Sequence, residues 1–236
     1  MNEHTGLDDI LDRAAATIRT TVLASQQNLT ELRRRLEESR AAALTSPDRQ
    51  DLWLADEILP FLQAQSLLIE GAGIAFAPGA FEGPPAVLDW WRRNSAGEIR
   101  YVHYDFNPRS IAYYDYPAHP WFRAAHDGPA ITGPFIDAGG VNVNIVTLAG
   151  PVRTASGVHV VGCDMSLAAL ESTFVRSIGA TRPALVLVSA GRRVLAANTA
   201  AYSVGARAPE PTRRTVPVFD DLDEIHPDWC VYAIGT

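Results

Sequence analysis

The first forty-five residues show a single hydrophobic period. Residues 7–45 contain no proline, and apolar side chains recur at multiples of seven residues. Two interleaved series make up the stripe, namely Leu11, Ile18 and Leu32, and Ala15, Val22, Leu29, Leu36 and Ala43, interrupted at Ser25 and Ser39. The pattern predicts one long helix, because such a repeat places the apolar side chains along one side of the helix.

The length of this helix raises the question of what covers its apolar stripe. At 1.5 Å per residue the helix would extend about 55 Å, which is long for a compact domain to cover. A second copy of the same helix is the simplest partner, so the pattern predicts a homodimer. The alternative is a helix that packs along its own domain.

Beyond residue 48 the pattern changes from helical to strand-like. A shorter helix is predicted over about 49–65, with Pro60 bending or ending it. From residue 66 onwards, short apolar runs alternate with glycine and proline clusters, as in strands joined by turns. Because most connections are short, we expect antiparallel pairing. The predicted strands are SLLIEGAGIAFAPG, EIRYVHYDF, SIAYYDY, NVNIVTLAGPV and GVHVVGCDM.

Other segments complete the predicted layout. LDWWRRN, from residue 88, is interpreted as a helical or loop insertion, and residues 166–178 have helical spacing. Residues 185–198 predict two strands around a turn at Gly191, and the final CVYAI could close the sheet. We therefore predict an α+β fold, with a long N-terminal helix and a central antiparallel sheet of about five to six strands flanked by helices.

The predicted division of the chain has two parts. Residues 1–48 form the dimerisation helix, and residues 49–236 form the folded domain. Nothing in the pattern indicates internal repeats or low-complexity tracts. The chain is long enough to bury a sizeable core without disulfides or metals.

Charge and targeting features exclude several classes of protein. The net charge of −7 argues against nucleic acid and against an anionic membrane surface. No apolar run approaches the roughly 18 residues of a membrane span, and the acidic N-terminus is not a signal peptide. We therefore expect a cytoplasmic protein, with Cys163 and Cys230 reduced.

Sequence motifs of catalysis are lacking. There is no G-x-S-x-G, H-E-x-x-H, Walker loop or dinucleotide-binding glycine motif, and the GAG at 71–73 is too short to indicate one. His119 and His126 stand seven residues apart across a proline-bearing segment, which is weak evidence for a metal. We expect no enzyme, no metal and no cofactor.

The richest candidate site is the aromatic segment YYDYPAHPWFRAA at 113–125. Five of the seven tyrosines lie between residues 101 and 116, and GPFID at 133–137 and GCD at 162–164 add rings and carboxylates. Aromatic side chains in strands usually serve packing, so each ring alone is an equally good core residue. Together, the rings and acids suggest a pocket.

The order of four segments resembles a known sensor family. YDYPAHPWFRAA, GPFID, VNIVTLAGPV and GVHVVGCDMSLAAL are similar to the extracytoplasmic, PAS-like sensor domains called Cache or PDC. The resemblance covers about residues 65–205 and implies ligand binding in signal transduction. Family members also begin with a long helix that commonly pairs in dimers.

The resemblance also implies a set of ligand contacts. In relatives that bind amino acids, the pocket lies under the loop that carries the tryptophan. Carried onto this chain, the contacts would be Tyr114, His119, Trp121, Phe122, Phe135 and Asp164. Asp164 would hold the ligand ammonium, and His119 stands where relatives have the arginine that binds the ligand carboxylate.

Departures from the family pattern change the expected ligand. His119 lacks the permanent charge and planar fork of arginine, and Phe122 and Phe135 lack the hydroxyl groups of tyrosine. An aromatic box with Asp164, joined by Asp137 or Asp115, suits a small cation instead of an α-amino acid. We therefore expect an amine-bearing or small polar organic ligand. The alternative for Asp164 is a cap on the helix at 166–178.

The functional prediction is a bacterial small-molecule sensor that breaks no bond. Relatives usually lie outside a membrane between spans that lead to an output module, and this sequence shows neither. The signal would therefore leave through the N-terminal helix or through a separate output protein. The rival is a structural or interaction protein with a vestigial pocket, which acts through its long helix.

Overall fold

The computed structural model describes residues 3–40, 54–81, 86–94, 96–136, 143–180, 183–221, 223–225 and 227–235. The helices in these ranges are Glu3–Arg40 (α1), Ala55–Ala64 (α2), Pro120–Asp127 (α3) and Leu167–Ile178 (α4). The strands are Ile69–Ala75 (β1), Leu88–Arg93 (β2), Ile99–Tyr101 (β3), Ala130–Ile136 (β4), Asn144–Thr154 (β5), Gly157–Ser166 (β6), Ala184–Ser189 (β7), Arg193–Ala197 (β8), Thr215–Pro217 (β9) and Cys230–Ile234 (β10).

The strands form two antiparallel sheets. The larger has the order β3-β2-β1-β6-β5-β4, which confirms the predicted sheet of five to six strands. The smaller has the order β8-β7-β10-β9 and was not predicted as a separate sheet. The predicted turn between β7 and β8 is present, with Gly191 at φ 68°. The final strand, β10, lies inside the smaller sheet between β7 and β9, so it does not close the central sheet as predicted.

The apolar stripe of α1 packs on its own chain. Its described apolar members are buried in the main core together with the larger sheet and α4, and Ser25 is buried with them. The argument that part of the stripe needs a second copy of the helix is therefore wrong, because each described apolar position is covered within one chain. Ala43 and the boundary at residue 48 lie outside the described residues, so the predicted division of the chain stays a prediction.

Polar contacts fix the orientation of α1 along the domain. Arg19 forms ion pairs with Asp220 and Asp223, each at 2.8 Å. Arg214 donates hydrogen bonds of 3.0 and 2.8 Å to the carboxylate of Asp12. Such partly exposed pairs add little stability, so burial of the stripe holds the helix in place.

Three predicted elements differ from the structure. LDWWRR is strand β2 and not a helical insertion, because it pairs with both β1 and β3. SIAYYDY is not a strand, and its only bridge among the described residues joins Tyr113 to Asp105. Helix α2 begins at Ala55 and contains Pro60, while residues 49–53 lie outside the described ranges.

The two faces of the larger sheet have different surroundings. On one face, α1 and α4 cover an apolar core that includes Leu148, Cys163 and Met165. On the other face, α3 and the segment 102–119 cover an aromatic cluster built around Trp90, Tyr116 and Trp121. Alternation along each strand separates these two environments, and the candidate site lies on the aromatic face.

Candidate functional site

A small cavity of about 10 Å³ lies between the aromatic face of the larger sheet and the segment that covers it. This is about the space of one water molecule, far below the range that is usual for drug-sized ligands. It is lined by Leu88, Trp90, Tyr104, Tyr114, Trp121, Phe135, Ile145, Thr147 and Asp164. The side chains approach closely enough that a ligand much larger than water would have to move some of them apart.

The register of the sheet places the polar residues of this cavity in one row. Arg92 on β2 pairs with Gly71 on β1, which pairs with Asp164 on β6, which pairs with Thr147 on β5. Directly paired residues project to the same face, so all four positions point toward the cavity side. The row sets one carboxylate at the floor of an otherwise aromatic pocket.

Two hydrogen-bond donors and one guanidinium surround the carboxylate of Asp164. Thr147 donates a hydrogen bond of 2.8 Å to Oδ1, and the indole N–H of Trp90 donates one of 3.1 Å to Oδ2. The guanidinium of Arg92 approaches Oδ2 at 3.6 Å, and both side chains of this ion pair are almost completely buried. A buried carboxylate needs such partners, since an unpaired charge in the interior is very unfavourable.

The alternative role of Asp164 as a helix cap is wrong. Helix α4 is capped by Ser166, whose Oγ accepts a hydrogen bond of 3.4 Å from the backbone N–H of Ala169. Asp164 lies on β6, two residues earlier, and its carboxylate is directed into the row described above. The acid is therefore available to the site and is not needed by the helix.

Glycines in neighbouring strands make room for Trp90 and Arg92. A Cβ at Gly73 would lie 2.6 Å from Cε3 of Trp90, and one at Gly162 would lie 3.2 Å from Cη2 of the same ring. A Cβ at Gly71 would lie 3.0 Å from both Cγ of Arg92 and Nε1 of Trp90. The indole therefore lies against bare backbone, which brings its N–H within reach of Asp164. The GAG at 71–73, which the sequence analysis set aside, has this structural role.

Aromatic side chains form the walls of the cavity. Trp90 and Trp121 pack with their ring centroids 5.9 Å apart, and Tyr104 and Tyr114 stack at 4.6 Å. Both tyrosines are half-buried, so they separate the cavity from solvent. Faces of such rings carry negative charge density, which favours a cation between them.

The structure brings together four of the seven predicted ligand contacts. Tyr114, Trp121, Phe135 and Asp164 line the cavity, whereas His119 and Phe122 do not. His119 packs against Tyr114 with a centroid separation of 4.8 Å and a tilt of 39° between the rings, while Phe122 packs edge-on against Trp121 and Tyr116. Asp137 lies outside the described residues.

The lining residues that the sequence analysis did not name are Leu88, Trp90, Tyr104, Ile145 and Thr147. Trp90 and Leu88 belong to β2, which was mistaken for an insertion, so its alternation was not followed. Thr147 lies within the predicted strand NVNIVTLAGPV, and its pairing with Asp164 depends on register. A correct assignment of β2 as a strand would have placed Leu88, Trp90 and Arg92 on one face.

Two buried groups of the larger sheet's surroundings are held in their neutral forms, Tyr116 on the aromatic face and Cys163 on the face toward α1. Tyr116 donates a hydrogen bond of 2.6 Å to the carbonyl of Phe76, and burial raises the pKa of its phenol to about 12. Burial, with a smaller contribution from the charge of Asp164, also raises the pKa of the Cys163 thiol. Neither group is therefore ionised near neutral pH, which suits packing and not nucleophilic chemistry.

Within the described ranges, no group of three or more histidine, cysteine, aspartate or glutamate side chains could hold a metal ion. Among the described helices, none is both long and apolar enough to cross a bilayer. His119 and His126 therefore do not belong to a metal-binding group among the described residues.

Comparison with known proteins identifies the fold. No protein-family model matches the chain, and a search of curated proteins gives no match. Methyl-accepting chemotaxis protein X superposes with a TM-score of 0.63 at 18% identity, over 95% of this chain and 96% of that one. The ligand-binding domain of the Pseudomonas aeruginosa amino acid chemoreceptor PctB, in complex with L-Arg, gives 0.61 at 16% identity, over 96% and 92%. The chain has a Cache/PDC-like α+β fold.

Other solved structures agree with this fold. The ligand-binding domain of the Pseudomonas fluorescens chemoreceptor CtaA, in complex with L-valine, has a TM-score of 0.57 at 16% identity, over 98% of this chain and 96% of that one. The extracellular domain of soHK1S-Z6 gives 0.60 at 18% identity, over 81% and 69%. Because that neighbour is extracellular, the comparison gives no support to the predicted cytoplasmic location.

Proposed function

We propose that this chain is a small-molecule-binding sensor domain whose ligand is an amine-bearing or small polar organic molecule. The observation that carries the proposal is that Trp121 and Asp164, distant in sequence, border the same cavity. Structural neighbours of the chain include domains that hold L-Arg or L-valine, and their similarity supports a sensor over an enzyme. Turnover of a ligand plays no part in the proposal.

The lining of the cavity favours an amine without a carboxylate. Its charged lining residue is Asp164, and none of the described lining residues is basic. A ligand carboxylate would therefore meet no guanidinium fork, because His119 packs outside the cavity on Tyr114. An ammonium group between aromatic faces and near a carboxylate gains both cation–π and ion-pair attraction.

Signalling follows from the narrowness of the cavity. A ligand that needs Tyr104 and Tyr114 to separate would favour an open arrangement of the covering segment through its differential affinity. Asp164 lies two residues before Ser166, which caps α4, and α4 packs along α1. We propose that a change at Asp164 reaches α1 through this short connection.

Several predicted features remain part of this proposal. His119 would influence the ligand through Tyr114, Phe122 would support Trp121, and Asp137 would contribute a second acid to ligand binding. A homodimer through α1 would have to use the polar side of the helix, since the apolar stripe is covered. The output would be a separate protein or the α1 helix itself.

The rival proposal is an interaction protein with a vestigial pocket. The small volume of the cavity favours it, because rings that fill one another's gaps leave little space for a metabolite. In that case Trp121 serves as a core residue, and α1 contacts the partner through its polar side.

A ligand screen separates the two proposals. Thermal shift and tryptophan fluorescence are measured against amines, amino acids and short carboxylates, because Trp90 and Trp121 both border the cavity. A ligand at about 100-fold over its dissociation constant adds about 2.7 kcal/mol to the free energy of unfolding. Amines that stabilise the protein support the sensor, and a library without any shift supports the interaction protein. The variant Trp121→Ala should lose the response.

A further inference from the structure

The carboxylate at the floor of the cavity belongs to a larger charge cluster. Arg92 lies between two acids, with its guanidinium 3.6 Å from Asp164 and 3.3 Å from Glu70. Only 3% of the Arg92 side chain and 5% of the Asp164 side chain are exposed, against 26% for Glu70. The cluster therefore connects the buried floor of the site to the protein surface.

An irregularity in β1 positions Glu70 for this contact. The register between β1 and β6 shifts between Ile69 and Gly71, so Glu70 is the extra residue of a bulge. A bulge redirects a side chain that regular alternation would send to the opposite face. Gly71 next to it carries no side chain, so the stem of Arg92 passes over the strand toward both acids.

The three charges add up to a net charge of −1. Asp164 and Glu70 contribute −2 and Arg92 contributes +1, so the second acid restores the negative charge that Arg92 would otherwise cancel. Without Glu70 the floor of the cavity would be a neutral pair. In a poorly solvated site, the charge of a nearby residue such as Glu70 strongly affects the binding energy of a cation.

We propose that Glu70 and Arg92 are positioning residues that set the charge preference of the ligand site through Asp164. Arg92 holds the Asp164 carboxylate toward the cavity, and Glu70 offsets the positive charge of Arg92. This inference rests on the proposed function, because it assigns a charge preference to the same pocket. It goes further in naming two residues outside the cavity lining as determinants of specificity.

The test compares a cationic ligand with its neutral counterpart. Isobutylamine is protonated at pH 7.5, and isobutanol has nearly the same shape without the charge. Binding of both is measured by calorimetry and tryptophan fluorescence on the wild-type chain and on Glu70→Gln. We expect the amine affinity of the variant to fall about fivefold while the alcohol affinity is unchanged.

Two further variants separate the charge effect from structural damage. Glu98→Gln is a matched control, since Glu98 pairs with Arg100 on the same sheet at an exposed position away from the cavity. Its amine affinity should change by less than about twofold. In Arg92→Gln, Thr147 and Trp90 still hold the Asp164 carboxylate and the cluster becomes more negative. The ratio of amine to alcohol affinity should therefore rise, the reverse of the effect of Glu70→Gln.

The outcomes keep this inference distinct from the proposed function. Equal loss of amine and alcohol binding in Glu70→Gln would mean a structural role and overturn the inference, as would unchanged amine binding. Alcohol binding without amine binding to the wild type would also overturn it, while the small-molecule site would stand. Absence of binding by both, and by the wider ligand library, would remove the proposed function and the inference together.

Discussion

The two faces of the six-stranded sheet use the same strands for different purposes. Toward α1, adjacent strands present apolar side chains such as Leu148 and Cys163. Toward α3, the next residues along the same strands are Thr147 and Asp164, in a row with Arg92. Alternation allows one face to supply stability while the other holds buried polar groups that a purely stabilising core would avoid.

Both faces of the sheet contain a buried polar side chain, but its surroundings differ between them. On the face toward α1, buried His159 accepts a hydrogen bond of 3.0 Å from the Ala77 backbone N–H. Its other ring nitrogen lies 3.0 Å from the Thr154 hydroxyl. On the other face, two hydrogen-bond donors and the Arg92 guanidinium surround the carboxylate of Asp164. The imidazole of His159 is enclosed by its partners, whereas the carboxylate of Asp164 also borders a cavity, which makes the aromatic face the candidate ligand site.

The largest expected loss of stability comes from shortening Leu148 on β5, the neighbour of Thr147. Leu148→Ala removes a fully buried side chain from the face toward α1 and should lower the free energy of unfolding by roughly 2–5 kcal/mol. Amine binding measured below the unfolding transition should be unchanged. Denaturant unfolding and calorimetry provide the two measurements, and loss of both properties together would break the distinction between the faces.

Acidification should destabilise the face toward α1. Burial lowers the pKa of His159 to about 4, compared with its ordinary 6.5. The unfolded chain therefore takes up a proton before the folded one, so stability is complete above pH 6.5 and falls as the pH drops toward 4. The loss should reach about 3 kcal/mol.

Unfolding curves between pH 7.5 and 4 check this pH dependence. The variant His159→Gln should be less stable at pH 7.5 but should lose less stability on acidification than the wild type does. His126→Gln, at an exposed position, is the matched control and should retain the wild-type dependence. If His159→Gln lost as much stability on acidification as the wild type, the pH dependence would arise from other titratable groups.

The glycine under Trp90 tests how far the site depends on the backbone. A side chain at Gly73 would overlap Trp90 and the backbone of Asp89, so Gly73→Ala should cost about 1–3 kcal/mol of stability. The displaced indole should also change its fluorescence. Gly128→Ala is the control, because a Cβ there meets nothing within 4 Å and its φ is extended. Equal stability of the two variants would contradict the close packing of Trp90 against Gly73.

The smallest effect is expected at His119. Because its ring packs against Tyr114 and does not line the cavity, His119→Gln should change amine affinity by less than about threefold. Binding should also show little dependence on pH between 6 and 8 in this variant and in the wild type. A larger loss, measured by calorimetry, would restore His119 as a direct ligand contact.

The helices and strands with strong local patterns could be predicted from the sequence. Helix α1 was predictable because its stripe repeats over five heptads, but periodicity does not reveal which surface covers a stripe. Strand β2 was missed because Trp90, Trp91 and Arg92 are all buried, which hides the alternation of polar and apolar residues. Arg92 is buried only because acids on β1 and β6 pair with it, and those contacts depend on register.

Four of the nine residues that line the cavity could be inferred from the sequence. Tyr114, Trp121, Phe135 and Asp164 were recognised from ordered segments of sequence, and they do share one cavity. The contribution of Trp90 depends on glycines in two other strands, whose meaning appears only when the strands are paired. The smaller sheet likewise joins residues 184–197 to β9 and β10, and such distant pairing has no local pattern.

The central claim is that Asp164 and the surrounding rings bind a small organic cation. The most direct measurement is calorimetric titration of isobutylamine into the wild-type protein and into Asp164→Asn, with isobutanol as the neutral reference. We expect isobutylamine to bind the wild type and to bind Asp164→Asn at least about tenfold more weakly, whereas isobutanol should bind both proteins equally. Equal amine affinity for the two proteins would contradict this claim.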